Sequence, residues 1–182
     1  MKKIFSIVLA IIMSVGIANA QRTSAGYNFI SASFPVSFTG DGLAGISYGR
    51  YQLRGYWDTE VKFVNRNAAS RIGDCEYSDI TAGWNYMYRL VSTRNRAFSI
   101  YTGAGMFLGA EVLDVFGKFD SSKGIITGCS NHFLYGVAAS AEAEVYLSKK
   151  FAMALRYSVP INFSSTINMV NYELGIGLRI TF

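Results

Sequence analysis

The residues with the chemistry to act are few and spread along the chain. His132 is the only histidine. Ser130 is a loop residue two positions before it that shares its face, and Glu111 ends the adjacent strand, also facing in. A Ser-His-Glu hydrolase at a barrel mouth can be drawn from the three. No Gly-x-Ser-x-Gly elbow presents Ser130 as a nucleophile, so the simpler reading is a solvated loop histidine. Cys75 and Cys129 are the only cysteines. They lack the CxxC spacing of redox chemistry, and two thiols with one histidine do not make a structural zinc site. One disulfide between two loops is their natural use, contributing about 4 kcal/mol in the chain-entropy picture. The Gly103-Ala104-Gly105 and Gly175-Ile176-Gly177 runs fall mid-strand, where glycine makes room for neighbours and does not cradle phosphate. No catalytic residue, cofactor or metal is expected.

The largest charged set is Asp58, Glu60, Lys62, Glu142, Glu144, Arg156, Glu173 and Arg179. Each stands in an alternating stretch, on the face opposite the apolar residues. Side chains of a strand alternate between faces, so each stretch has one apolar face and one polar face. The final stretch shows this most clearly. Val170, Tyr172, Leu174, Ile176, Leu178, Ile180 and Phe182 share one face, while Asn171, Glu173, Gly175, Gly177, Arg179 and Thr181 share the other. The chain ends on an aromatic residue of the apolar face. Tyr172, Leu174, Ile176, Leu178, Ile180 and Phe182 look like the closing strand of a bacterial outer-membrane barrel, which is also the signal for the barrel-assembly machinery.

Seven further stretches have the same period: Gly26–Phe38, Leu43–Tyr51, Trp57–Phe63, Glu76–Tyr88, Phe98–Gly109, Phe133–Val145 and Phe151–Val159. Polar segments are expected to loop between them at Asn65–Cys75, Val112–Asn131 and Pro160–Asn168. Short connections follow the second, fourth and sixth stretches. Eight strands of bilayer-crossing length fit an all-β, eight-stranded antiparallel up-and-down transmembrane β-barrel of the outer-membrane type. Closure leaves no edge exposed to lipid. Both termini then lie in the periplasm, with short turns there and longer loops outside.

Composition agrees. Apolar residues make up 51% of the chain and aromatics 15%, with 18 glycines and 2 prolines. The N-terminus reads as a cleaved signal peptide over residues 1–20. Lys2 and Lys3 precede an apolar core, and Ala18-Asn19-Ala20 forms the cleavage site. Residues 21–182 would then be a single barrel domain carrying 15 basic and 12 acidic residues, a net +3. Trp57, Tyr86, Tyr88, Phe98, Phe151 and Phe182 fall at the periplasmic strand ends, where an aromatic girdle belongs. A lipocalin-like soluble barrel would reverse the faces, placing the charges in water.

In a barrel of this size side chains fill the bore. A hairpin pairing Leu147 with Phe151 puts Glu142 opposite Arg156. Lys62, Arg156 and Arg179 are the cations available to the five inward carboxylates. The set reads as a plug, with a gated ion path as the alternative. At the periplasmic rim, Arg50, Arg54, Arg89, Arg94, Arg96, Lys149 and Lys150 crowd the three short turns, with no acidic residue among them. They suit lipid phosphates, or an acidic periplasmic partner or the cell wall. Direct binding of nucleic acid is not expected, because no recognition motif is present.

The stretch Phe133-Leu134-Tyr135-Gly136, the later Glu142-x-Glu144-x-Tyr146-Leu147 and the closing Leu174-Gly175-Ile176-Gly177-Leu178 resemble the TraO family of conjugal transfer proteins, carried by conjugative transposons of Bacteroidetes. The likeness is strongest over the last fifty or so residues. It implies an outer-membrane part of a DNA-transfer apparatus, working with other conjugation proteins in the periplasm. A barrel this narrow cannot pass DNA, so the implied role is accessory. A general envelope-stabilising or ligand-binding surface barrel is the other reading of the same residues, and an outer-membrane lipid hydrolase a third.

Overall fold

The computed structural model describes residues 25–37, 42–70, 73–93, 97–113, 131–165 and 169–182. The expected signal peptide, Arg94, Arg96, Cys129 and Ser130 lie outside them. Eight strands run in chain order: β1 Asn28–Ser37, β2 Gly42–Gln52, β3 Gly55–Ser70, β4 Gly73–Ser92, β5 Phe98–Leu113, β6 His132–Tyr146, β7 Phe151–Asn162 and β8 Glu173–Thr181. Each pairs antiparallel with the next, and β1 pairs with β8 from Phe29↔Thr181 to Ser37↔Glu173, closing the barrel. Closure satisfies the backbone ladder on both sides of every strand, as a lipid environment demands.

The first and last described strands meet at one end, here the terminal end. Asn28 and Phe182 exchange both backbone hydrogen bonds there, at 3.0 Å each. The β2–β3, β4–β5 and β6–β7 connections lie at the same end. Leu147 N donates to Phe151 O at 2.9 Å, and the Ser148 hydroxyl accepts from Phe151 N at 3.2 Å, which closes the β6–β7 hairpin.

The exterior is apolar and the interior polar. Ile46 is 67% exposed, Met106 61% and Leu178 55%, whereas Asp58 and Glu144 are 0% exposed. A lipocalin-like arrangement requires the reverse and is excluded. So wide an exposed apolar band suits lipid and not water. Tyr48 and Trp57 pack edge to face at 6.1 Å on the outside near the terminal end. A second aromatic group, Phe133, Tyr135 and Phe163, lies outside toward the far end, with centroids 6.4 and 6.1 Å apart in sequence order.

Three connections are shorter than the sequence pattern suggests. The expected loop from Asn65 to Cys75 is strand: β3 and β4 stay in register to Ser70↔Gly73. Cys75 therefore lies in β4, opposite Ala68, and not in a loop. β4 also continues past Arg89 to Ser92, and β7 past Pro160 to Asn162. The causes differ. Residues 65–70 have no apolar alternation although their backbone stays paired. β4 has a register shift between Arg89 and Val91 that puts both Leu90 and Val91 on the surface. Pro160 reads as a break although β7 pairs through it.

Candidate functional site

Alternation aims Asp58, Glu60 and Lys62 of β3, Glu142 and Glu144 of β6, Arg156 of β7 and Glu173 and Arg179 of β8 into the bore. The Leu147–Phe151 hairpin sets the β6–β7 register, and Glu142 pairs with Arg156. Cross-barrel contacts then stack this set in layers.

At the terminal end, Phe29, Tyr51, Tyr56, Met87, Tyr101 and Tyr146 form a buried cluster across the bore. Arg179 lies on it, its guanidinium carbon 4.2 Å from the Phe29 centroid and 4.7 Å from that of Tyr56. Arg179 Nη1 donates to Glu144 Oε1 at 2.6 Å, and Nη2 to Glu142 Oε1 at 3.2 Å. The Tyr51 and Tyr101 hydroxyls also donate to Glu144. Every carboxylate in this layer meets a cation or a hydroxyl, which burial requires.

Arg156 builds the middle layer. Its Nε donates to Glu142 Oε2 at 2.8 Å, Nη2 to Asp58 Oδ2 at 2.6 Å and to the Tyr56 hydroxyl at 3.0 Å, and Nη1 to Glu60 Oε2 at 3.4 Å. Asn85 Nδ2 donates to Asp58 Oδ1 at 2.9 Å, and Ser33 Oγ to Glu60 Oε1 at 3.2 Å. Farther from the termini, Lys62 and Arg66 both pair with Glu173, and Arg66 Nε reaches Asp79 Oδ2 at 2.7 Å. Arg66 and Asp79 escape the sequence reading of the network, Arg66 because it falls in the expected loop. An inward position two residues beyond Val64 was the signal that could have found it.

Little open space remains. Among the described residues a cavity of about 40 Å³ lies among Ser31, Ser47, Lys62, Glu142, Arg156 and Glu173. Neighbouring ones are about 20 and 10 Å³, and Lys62 borders all of them. These volumes hold isolated waters, not a substrate. Among the described residues no group of three His, Cys, Asp or Glu side chains is placed to hold a metal ion. His132 pairs across the ladder with Glu111, whose Oε2 accepts from Ser165 Oγ at 2.8 Å. Among the described residues the hydroxyl bound to that carboxylate is that of Ser165, which the sequence reading did not select.

The other sequence-selected residues lie at the surface. Arg50, Arg54, Lys149 and Lys150 are exposed at the terminal end, and Arg89 is half-buried, donating to the Leu53 carbonyl. Tyr172, Ile176, Leu178, Ile180 and Phe182 are exposed on the outer face, with Leu174 partly covered.

A closed eight-stranded antiparallel barrel, apolar outside and filled by a charge network, is a barrel of the outer-membrane type. Solved structures share the fold. Neisserial surface protein A aligns at TM-score 0.62 and 16% identity, over 87% of this chain and 98% of its own. The N-terminal β-barrel domain of Pseudomonas aeruginosa OprF aligns at TM-score 0.54 and 12% identity, over 87% and 98%. No curated protein matches the sequence. The family model described as conjugative transposon protein TraO matches residues 37–182, and the chain belongs to this family. Membership ties it to conjugative transposons, and the barrel fits an envelope-associated protein.

Proposed function

We propose that this chain is an accessory, structural component of a conjugal DNA-transfer apparatus in the outer membrane, and that it anchors or stabilises the machinery without conducting DNA. The family match over residues 37–182 carries the reading. The filled bore supports a role that needs no channel, since the cavities among the described residues, about 40, 20 and 10 Å³, admit neither a DNA strand nor a metabolite. In this reading residues 1–20 are removed on export and residues 21–182 form one barrel. The terminal end faces the periplasm, because all three connections there are short while the long ones, after β5 and β7, lie at the other end. The basic rim docks other conjugation proteins, lipid surrounds the apolar band, and the assembly machinery recognises β8. The protein performs no catalysis.

Clean deletion of the gene from its mobile element, with complementation, tests this. A large, complemented loss of mating frequency is expected. Unchanged transfer, with the protein still recovered in the outer membrane, would move it to a general envelope or surface role.

A further inference from the structure

The basic rim is two surfaces, and the register separates them. Arg50 pairs with Trp57 and with Asn28. It continues the outward row Ala44, Ile46, Tyr48, beside the Tyr48–Trp57 aromatic pair. Its guanidinium therefore lies at the lipid boundary, within reach of phosphates.

Arg54 and Lys150 are placed differently. Arg89 N donates to Arg54 O at 2.8 Å, which extends the β3–β4 ladder by one step beyond Gly55↔Tyr88. Arg54 thus continues the inward row of Tyr56 and Asp58, and Arg89 that of Asn85 and Met87. Thr181 N donates to Lys150 O at 2.8 Å, extending the β7–β8 ladder beyond Phe151↔Ile180. Lys150 thus continues the inward row of Ala152 and Ala154. Arg54 and Lys150 are exposed, and Tyr27, in line with inward Phe29, is 49% exposed. Arg54, Arg89, Lys150 and Tyr27 therefore crown the mouth of the bore, over the aromatic plug and away from the lipid-facing rows. No acidic side chain accompanies them among the described residues of these turns. The first carboxylate side chain on the inward row that Arg54 continues, Asp58, is fully buried and already paired with Arg156.

We infer that this crown is a docking site for an acidic protein segment, bound over the closed terminal mouth by Arg54 and Lys150 with Tyr27 as a flat contact. The inference deepens the proposed function and rests on its topology, in which this end faces the periplasm. Charge complementarity selects the occupant. The backbone positions of Arg54 and Lys150 continue inward rows, apart from the outward rows that would face lipid. The plug beneath leaves no bore for a ligand to enter, so the segment lies across the mouth. Arg89 is held by the Leu53 carbonyl and adds fixed positive charge.

The test uses the full chain in nanodiscs of phosphatidylethanolamine and phosphatidylglycerol, with fluorescein-labelled octaglutamate as probe. Saturable, salt-sensitive binding is expected. R54E/K150E should weaken it at least about tenfold and R50E less than about twofold. Heat-modifiable migration on gels shows that each variant is folded. Unchanged affinity in R54E/K150E overturns the inference. So does binding that occurs in neutral detergent but vanishes in the anionic nanodiscs, because lipid then occupies these cations. In cells, R54E/K150E should lower mating frequency. Normal transfer by that variant, where deletion abolishes transfer, overturns docking and leaves the accessory role standing. Normal transfer after deletion removes the accessory role, and the nanodisc measurement then decides the crown alone.

Discussion

Arg179 of β8 stacks on Phe29 of β1 at 4.2 Å while its guanidinium holds Glu144 at 2.6 Å. Phe29 and Arg179 come from neighbouring strands that are the first and last of the barrel, so the contact exists only once the barrel has closed. It joins the seam, the aromatic plug and the charge network at one side chain.

Removing that side chain leaves Glu142 and Glu144 buried with fewer cations. We expect Arg179→Met to destabilise the folded barrel by ~3 kcal/mol, the usual cost of breaking a buried pair from one side. Urea titration in lipid vesicles measures it. The double variant E144Q/R179M should recover part of the loss, because the stranded charge is gone. A double variant as unstable as the single one would show that packing on Phe29, and not charge, sets the cost.

The two inner cations Arg156 and Lys62 should differ sharply. Arg156 contacts Asp58, Glu60, Glu142 and the Tyr56 hydroxyl, whereas Lys62 pairs with Glu173 among the described residues and borders the cavities. Arg156→Met is expected to cost ~3 kcal/mol and Lys62→Met about 1 kcal/mol or less, since Arg66 still holds Glu173. The same urea titration compares them. Equal losses would contradict the layered arrangement.

The filled bore predicts electrical silence. Purified protein in planar bilayers should show no resolved conductance steps. Phe29→Ala with Tyr56→Ala removes two rings of the plug and should produce small steps. Steps of the same size from the unaltered protein would refute a sealed lumen.

Phe182 closes the seam through paired backbone bonds to Asn28 and presents its ring outward, 55% exposed. Deleting it removes both the pair and an interfacial aromatic. We expect a several-fold smaller heat-modifiable fraction in outer-membrane preparations, with Phe182→Tyr close to the parent. Full assembly of the truncated chain would remove β8 as the assembly signal.

Gly49 sits under the plug. A Cβ there would collide with the Phe29 ring and the Trp57 carbonyl. Gly49→Ala should displace Phe29 and cost 1–3 kcal/mol, roughly the range for overpacked cores. Stability equal to the parent in urea would mean that the ring moves aside freely.

Period-two alternation was enough to number the strands and to put Asp58, Glu142, Arg156 and Arg179 on the inner face, because a one-residue slip would turn every one of them to lipid. Local hairpin chemistry was enough to set Glu142 opposite Arg156. The TraO likeness was legible too, in short motifs of β6 and β8. The plug was not. Phe29, Tyr51, Tyr56 and Tyr146 are aromatic on the polar face, and alternation alone gives no reason to place an apolar ring in a charged bore. The Arg156–Asp58 pair joins residues 98 apart in sequence. Which carboxylates a given cation reaches depends on the tilt and stagger of the closed sheet, a property of the whole circle of strands. The division of the basic rim has the same origin. Arg50 and Arg54 are four residues apart on one hairpin, but the turn between them changes the rows, and only in the closed barrel does an outward row turn from the bore and an inward row toward it.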